Sequence, residues 1–191
     1  MKFEHLSIDI ETLGTKPGSI ILSVGLIPFT LREPVKGENA DYWRISVIDS
    51  LICGLVADED TLEWWSKQTT LARKALEIGE MRTLQSTWYR LEHVLKTHCT
   101  DKCHVWMKGT SFDGVLLGVA LEKVGAGVPW KYWQERDVRT ICDGIIEPER
   151  IGTHHNSADD AVHQAKWVRD ALMSREVLTD ATHGEIGKAS D

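Results

Sequence analysis

Ser19 to Phe29 (SIILSVGLIPF) is a nearly continuous apolar run rich in Ile, Leu and Val, and no other stretch limits the fold so strongly. The uncharged segment around it, Gly18 to Leu31, falls short of the roughly 20 residues that a membrane helix needs. Its branched side chains suit a central strand covered on both faces. Residues 3–10 precede it and read as a strand with Leu6, Ile8 and Ile10 on one face. Residues 42–48 (YWRISVI) alternate and predict a third strand. The short connections between these three segments favour an antiparallel meander.

The chain then turns helical. Asp60 or Thr61 can cap a short helix carrying Trp64 and Trp65, and residues 70–80 form another. Leu84, Trp88, Leu91 and Leu95 recur at helical spacing and give an apolar stripe. A strand at 104–108 (HVWMK) is followed by a helix from Phe112 to Val124 that ends at Gly125 or Gly127. Residues 137–142 (DVRTIC) suit a fifth strand. A last helix from Ser157 to Ser174 turns Ala161, Ala165, Val168 and Leu172 inward. Three antiparallel N-terminal strands, then strands alternating with helices, predict an α/β fold with a mixed sheet. No repeat or linker divides the chain, so residues 1–178 read as one domain and 179–191 as a polar tail.

Cys53, Cys99, Cys103 and Cys142 do not form a disulfide framework in a chain of 191 residues, which points to a reducing, cytoplasmic setting. No signal peptide develops, because Glu4, Asp9 and Glu11 interrupt the N-terminus. The formal charge of −7 speaks against broad electrostatic capture of nucleic acid. It leaves room for carboxylates that hold cations, because bound metal reverses the local field. His98, Cys99, Cys103 and His104 have the ligand types of a zinc site, but their spacing straddles a helix end and a strand start.

Asp9 and Glu11 stand two apart on the first strand, so both leave the face opposite Ile8 and Ile10. Carboxylates side by side repel unless a cation or proton is shared, which favours a divalent metal. With 29 acidic residues in the chain, such a pair also arises by chance. Asp113 opens the helix after the 104–108 strand, where it can reach a site at the strand's end or merely complement the helix dipole. In HHNSADDAVHQ, Asn156 is a good N-cap, which puts His155 in the loop and Asp160 in the first turn. A histidine and a carboxylate so placed can serve as general base and metal ligand.

DIET, SFDGVLL and HHNSADDA, in that order, resemble the three motifs of the DEDD exonucleases of the His subtype, which have a ribonuclease H-like fold. The likeness runs from residue 3 to about residue 172. TLEWWSKQTTLAR and KYWQERDVRT point to the group of phage exonuclease A and the mycobacterial exoribonuclease. The resemblance implies a 3′→5′ exonuclease acting on the 3′ end of single-stranded DNA or RNA. It makes Asp9, Glu11, Asp113 and Asp160 ligands of two ions, Mg²⁺ or Mn²⁺, and His155 the general base. It also places Thr12 and Leu13 at the terminal nucleotide and suggests a homodimer. Ser157 departs from the alanine of many relatives. The doublets His154–His155 and Asp159–Asp160 permit a shifted pairing, with His154 as the alternative base.

Phe112, Trp65 and Arg136 complete the expected substrate contacts. Trp64 and Trp65 point about 100° apart on a helix, so one suits the core and one the surface, with base stacking as the functional role. Arg136 and Arg139 can grip phosphate or pair with Glu135 and Asp137. Two other functions use the same residues: hydrolysis of very short oligonucleotides, or binding of nucleic acid without turnover.

Overall fold

The computed structural model describes residues 2–186, with side chains as far as residue 175. Strands β1 (Phe3–Thr12), β2 (Ile21–Phe29), β3 (Asp41–Ile45), β4 (Glu80–Arg82), β5 (Cys99–Met107) and β6 (Glu135–Asp137) form one sheet in the order β4-β3-β2-β1-β5-β6. β2 runs antiparallel to β1 and to β3, while β1–β5, β5–β6 and β3–β4 are parallel. The antiparallel meander and the central place of β2 are as the apolar pattern predicts.

Among the described residues seven α-helices flank the sheet: α1 (Val47–Ile52), α2 (Glu59–Ser66), α3 (Thr70–Ala75), α4 (Leu84–His98), α5 (Val115–Glu122), α6 (Val138–Ile141) and α7 (Ser157–Ile186). α4 and α5 cover one face, where Leu6, Ile8 and Ile10 of β1 meet Leu84, Leu91 and Leu117. α7 covers the other, packing Ala161, Ala165 and Val168 against Ile27 and Trp106. The alternation of β1 therefore separates an apolar face from the face carrying Asp9 and Glu11.

Several boundaries differ from the sequence pattern. The third strand stops at Ile45, because the Ser46 side chain accepts from the Asp49 N–H and starts α1. The cap of α2 is Asp58, which accepts from the Asp60 N–H, and not Asp60 or Thr61. The helix expected over 70–80 ends at Ala75, and Glu80–Arg82 joins the sheet edge. The expected strand 137–142 is β6 for its first residue only. The Asp137 side chain then accepts from the Thr140 N–H and opens α6. The tail expected from residue 179 overlaps the backbone of α7 as far as Ile186, and its remainder, 187–191, lies outside the described residues.

Candidate active site

Asp9 and Glu11 lie near the C-terminal end of β1, opposite Gly25 and Ser23 of β2. Both partners are small for a reason. A Cβ on Gly25 would fall 2.0 Å from the Ser157 carbonyl carbon, so α7 begins directly on the β2 backbone. Beside it the Ser23 and Ser157 hydroxyls share a hydrogen bond of 3.0 Å, both fully buried. Ser157 is thus part of the seat that brings the start of α7 to β1.

The turn into α7 aims two residues. Asn156 Oδ1 accepts from the Ala158 and Asp159 N–H groups, and the His155 N–H donates to Asp160 Oδ2 at 2.9 Å. His155 has φ 65°, a left-handed backbone that is rare without glycine. Its Nδ1 then lies 3.8 Å from Glu11 Oε1. One ligand atom each of Glu11, His155 and Asp160 falls within a span of 4.8 Å.

Asp113 comes from a π turn, Thr110–Gly114, between β5 and α5. Gly109 starts it at φ 133°, and its carbonyl accepts from the Phe112 and Asp113 N–H groups. Asp137 clamps the turn from β6 by accepting from the Thr110 N–H at 3.2 Å. Asp113 ends 5% exposed. Asp9 Oδ1 accepts from Gln164 Nε2 at 2.6 Å.

This crowding of acids has an electrostatic cost. Burial raises the Asp9 pKa well above the usual carboxylate range, and the charges of Asp113, Glu11 and Asp160 raise it further. Burial likewise raises Glu11, and pushes Asp113 up to about 7. The His155 pKa is raised by the Glu11 carboxylate beside it. Buried oxygen donors that resist ionisation in their own company fit hard divalent cations, whose charge removes the repulsion.

The model of the 3′-5′ exoribonuclease Rv2179c-like domain matches residues 4–172. The chain belongs to that family. This exonuclease is 23% identical to the exodeoxyribonuclease of Enterobacteria phage T4 over 210 residues, spanning 90% of this chain and 87% of the phage protein. Its fold is similar to that of S. pombe Pop2p in a Mg²⁺- and Mn²⁺-bound form, with a TM-score of 0.59 at 13% identity over 88% of this chain and 82% of that one. The nuclease domain of 3′hExo, a DEDDh family member bound to rAMP, gives 0.57 at 10% identity over 90% and 93%. The fold is ribonuclease H-like, and the enzyme is a metal-dependent 3′→5′ exonuclease.

Two clefts meet over the carboxylates of the exonuclease. One, of about 500 Å³, is lined by Thr12, Lys16, Trp64, Trp65, Phe112 and His155. The other, of about 220 Å³, holds Asp9, Asp113, Asp160, Lys108, Arg139 and Arg150. Ile10, Glu11, Phe112 and His155 border both.

The remaining expected contacts fall in different places. Trp65 is 6% exposed and donates Nε1–H to the Thr12 carbonyl, while Trp64 is 41% exposed with its ring 4.8 Å from that of His155. Leu13 packs against the core and borders neither cleft. Arg136 also lies outside both linings, donating to the Trp133 and Glu135 carbonyls, whereas Arg139 lines the smaller cleft. His154 is in that lining too, without the approach to Glu11 that His155 makes.

Gln164, Arg150 and Lys108 line the smaller cleft beyond the residues that the sequence motifs single out. Gln164 stands four residues after Asp160, so helical spacing alone aligns the two on one face. Arg150, ion-paired to Asp160, sits in a loop without periodicity.

Proposed function

We propose that the enzyme shortens single-stranded nucleic acid from its 3′ end, releasing nucleoside 5′-monophosphates, with Asp9, Glu11, Asp113 and Asp160 holding two ions, Mg²⁺ or Mn²⁺. The observation that carries this reading is the convergence of Glu11, His155 and Asp160 within 4.8 Å, with half-buried Asp9 and buried Asp113 close enough to raise one another's pKa. Bound there, the ions would polarise the terminal phosphodiester, make water more acidic and neutralise the departing 3′ oxygen. His155 takes the proton of the attacking water, and the left-handed turn with the Asp160 hydrogen bond fixes where its ring stands. Phe112 borders both clefts and orients the last nucleoside in the larger one, which Thr12 at the end of β1 also lines. Trp64 offers a base a partly exposed face, and Trp65 braces the strand end through Thr12.

A single exonuclease domain over residues 1–178 with a tail at 179–191 is supported by the family match to 4–172. Four free thiols suit the cytoplasm. Among the described residues no helix is long and apolar enough to cross a membrane. A homodimer is supported by the shallow apolar groove of Val47, Ile48 and Met81 beside the β4 edge, a surface that a second copy can cover.

The test is incubation with matched 5′-labelled single strands of DNA and RNA in EDTA, Mg²⁺ or Mn²⁺. A ladder shortening from the 3′ end only with metal is expected. Cleavage confined to dimers and trimers, or bound but intact strands, would refute it.

A further inference from the structure

We propose that Arg150 is a phosphate-binding residue of this reaction which occupies Oδ1 of Asp160 until a divalent ion displaces it. The inference rests on the two-ion reading above. Both oxygens of Asp160 already have partners: Oδ1 takes the Arg150 guanidinium, and Oδ2 accepts the His155 N–H at 2.9 Å. An ion ligated by Asp160 has to displace one of them or crowd it. The His155 N–H is main chain, held between the Asn156-to-Thr153 turn and the first turn of α7, so it cannot leave without unwinding the start of the helix. Arg150 is a side chain on a long flexible stem, 28% exposed, and an arriving cation repels it. Arg150 is therefore the partner that moves.

The surroundings determine where it goes. The segment bearing Arg150 is anchored on both sides. Glu147 Oε1 meets His163 Nε2 at 2.8 Å and Lys108 Nζ at 3.4 Å, and the Thr153 N–H donates to Asp159 Oδ2 at 2.7 Å. Gly152, at φ 98°, makes room for Asp159, whose Cγ would lie 2.4 Å from a Cβ there. The base of Arg150 is thus fixed while its head can swing. The 220 Å³ cleft within its reach also receives Arg139 and Lys108. Once ions occupy the carboxylates, these cations face a space that suits a phosphodiester, which a guanidinium can bind through two parallel N–H bonds. One residue then screens the acids of the empty enzyme and grips substrate in the loaded one.

Calorimetric titration of Mn²⁺ into the metal-free full-length chain, without nucleic acid, tests the exchange. Arg150→Ala is expected to bind Mn²⁺ about fivefold more tightly than wild type, because a competing cation is gone, with Arg150→Lys in between. At saturating Mn²⁺, turnover of a 5′-labelled single strand by Arg150→Ala is expected to fall about 10²-fold and KM to rise. Mn²⁺ binding equal to or weaker than wild type overturns the exchange, and wild-type turnover overturns the phosphate role. If wild type itself neither binds Mn²⁺ nor cuts, it is the two-ion reading that fails.

Discussion

On one side of β1, Leu6, Ile8 and Ile10 lie against α4 and α5, each at most 5% exposed and surrounded by aliphatic carbon. On the other, Asp9 and Glu11 lie among carboxylates whose pKa values are driven upward, with Ser7 and His5 further back along the strand. Ser7 Oγ, His163 Nδ1 and Gln164 Oε1 on that side have no hydrogen-bond partner among the described residues. The two faces share one backbone, so the difference is a matter of side chains alone. Each large aliphatic residue on the first face contributes roughly 1.5–3 kcal/mol by leaving water. The second face holds charge together at a cost to stability, and the first face makes that tolerable.

The contrast breaks most sharply at the proposed base. His155→Ala is expected to lower turnover about 10²–10⁴-fold with the melting temperature little changed, read by single-turnover cleavage and thermal unfolding. Wild-type activity loss should also appear as pH falls through the raised pKa of His155, because a protonated ring cannot accept the water's proton. The opposite face should respond in the opposite way: Ile8→Ala is expected to cost about 2–5 kcal/mol in denaturant unfolding, while the folded fraction keeps its turnover.

Stability against pH sharpens the contrast further. Folded Asp113 keeps its proton to about pH 7, whereas the unfolded chain releases it near the ordinary value of about 4. At Asp113 the native state therefore binds more protons in that window, and this group's contribution to the stability of metal-free protein falls as pH rises from 4 to 7. Asp9 and Glu11 act with the same sign. Asp113→Asn should flatten the profile and raise the metal-free melting temperature while abolishing activity. Wild type and Asp113→Asn with the same dependence of stability on pH across this range would contradict the account of the acidic face, since the histidines held below their ordinary pKa are common to both.

Smaller effects probe the seat of α7. Gly25→Ala should cost about 1–3 kcal/mol by overpacking against Ser157, and should lower kcat because the helix start must shift. Ser157→Ala should cost about 1 kcal/mol and leave kcat within a few fold, since the Ser23 hydroxyl loses one partner.

What could be read in advance follows from how local each signal is. β1 and α4 have periodic side chains over 10 and 15 residues, and β2 is apolar almost throughout, so the faces of the first two and the central place of the third are plain from the sequence. The elements whose bounds depart from the sequence pattern are short and decided by caps. YWRISVI alternates through Ser46, but the Ser46 hydroxyl takes the Asp49 N–H and bends the chain into α1. Asp137 does the same at β6, and that single cap separates Arg136, on the strand, from Arg139, one turn into the cleft. The carboxylates and His155 stand out in the sequence because their order along the chain resembles a family pattern, and the fold brings Glu11, His155 and Asp160 together. The ion pair of Arg150 with Asp160 does not stand out, because a loop of Gly, Pro and charged residues has no period from which to read a direction.

Gly25 turns an omission into a dimension. With α7 resting on bare main chain, the gap between the acids of β1 and the residues at the helix start has no compliant layer to absorb error, and a missing carbon atom sets it. Catalytic spacing in this enzyme is therefore a machined clearance, and drift elsewhere along α7 can be accommodated only by sliding or tilting about that point.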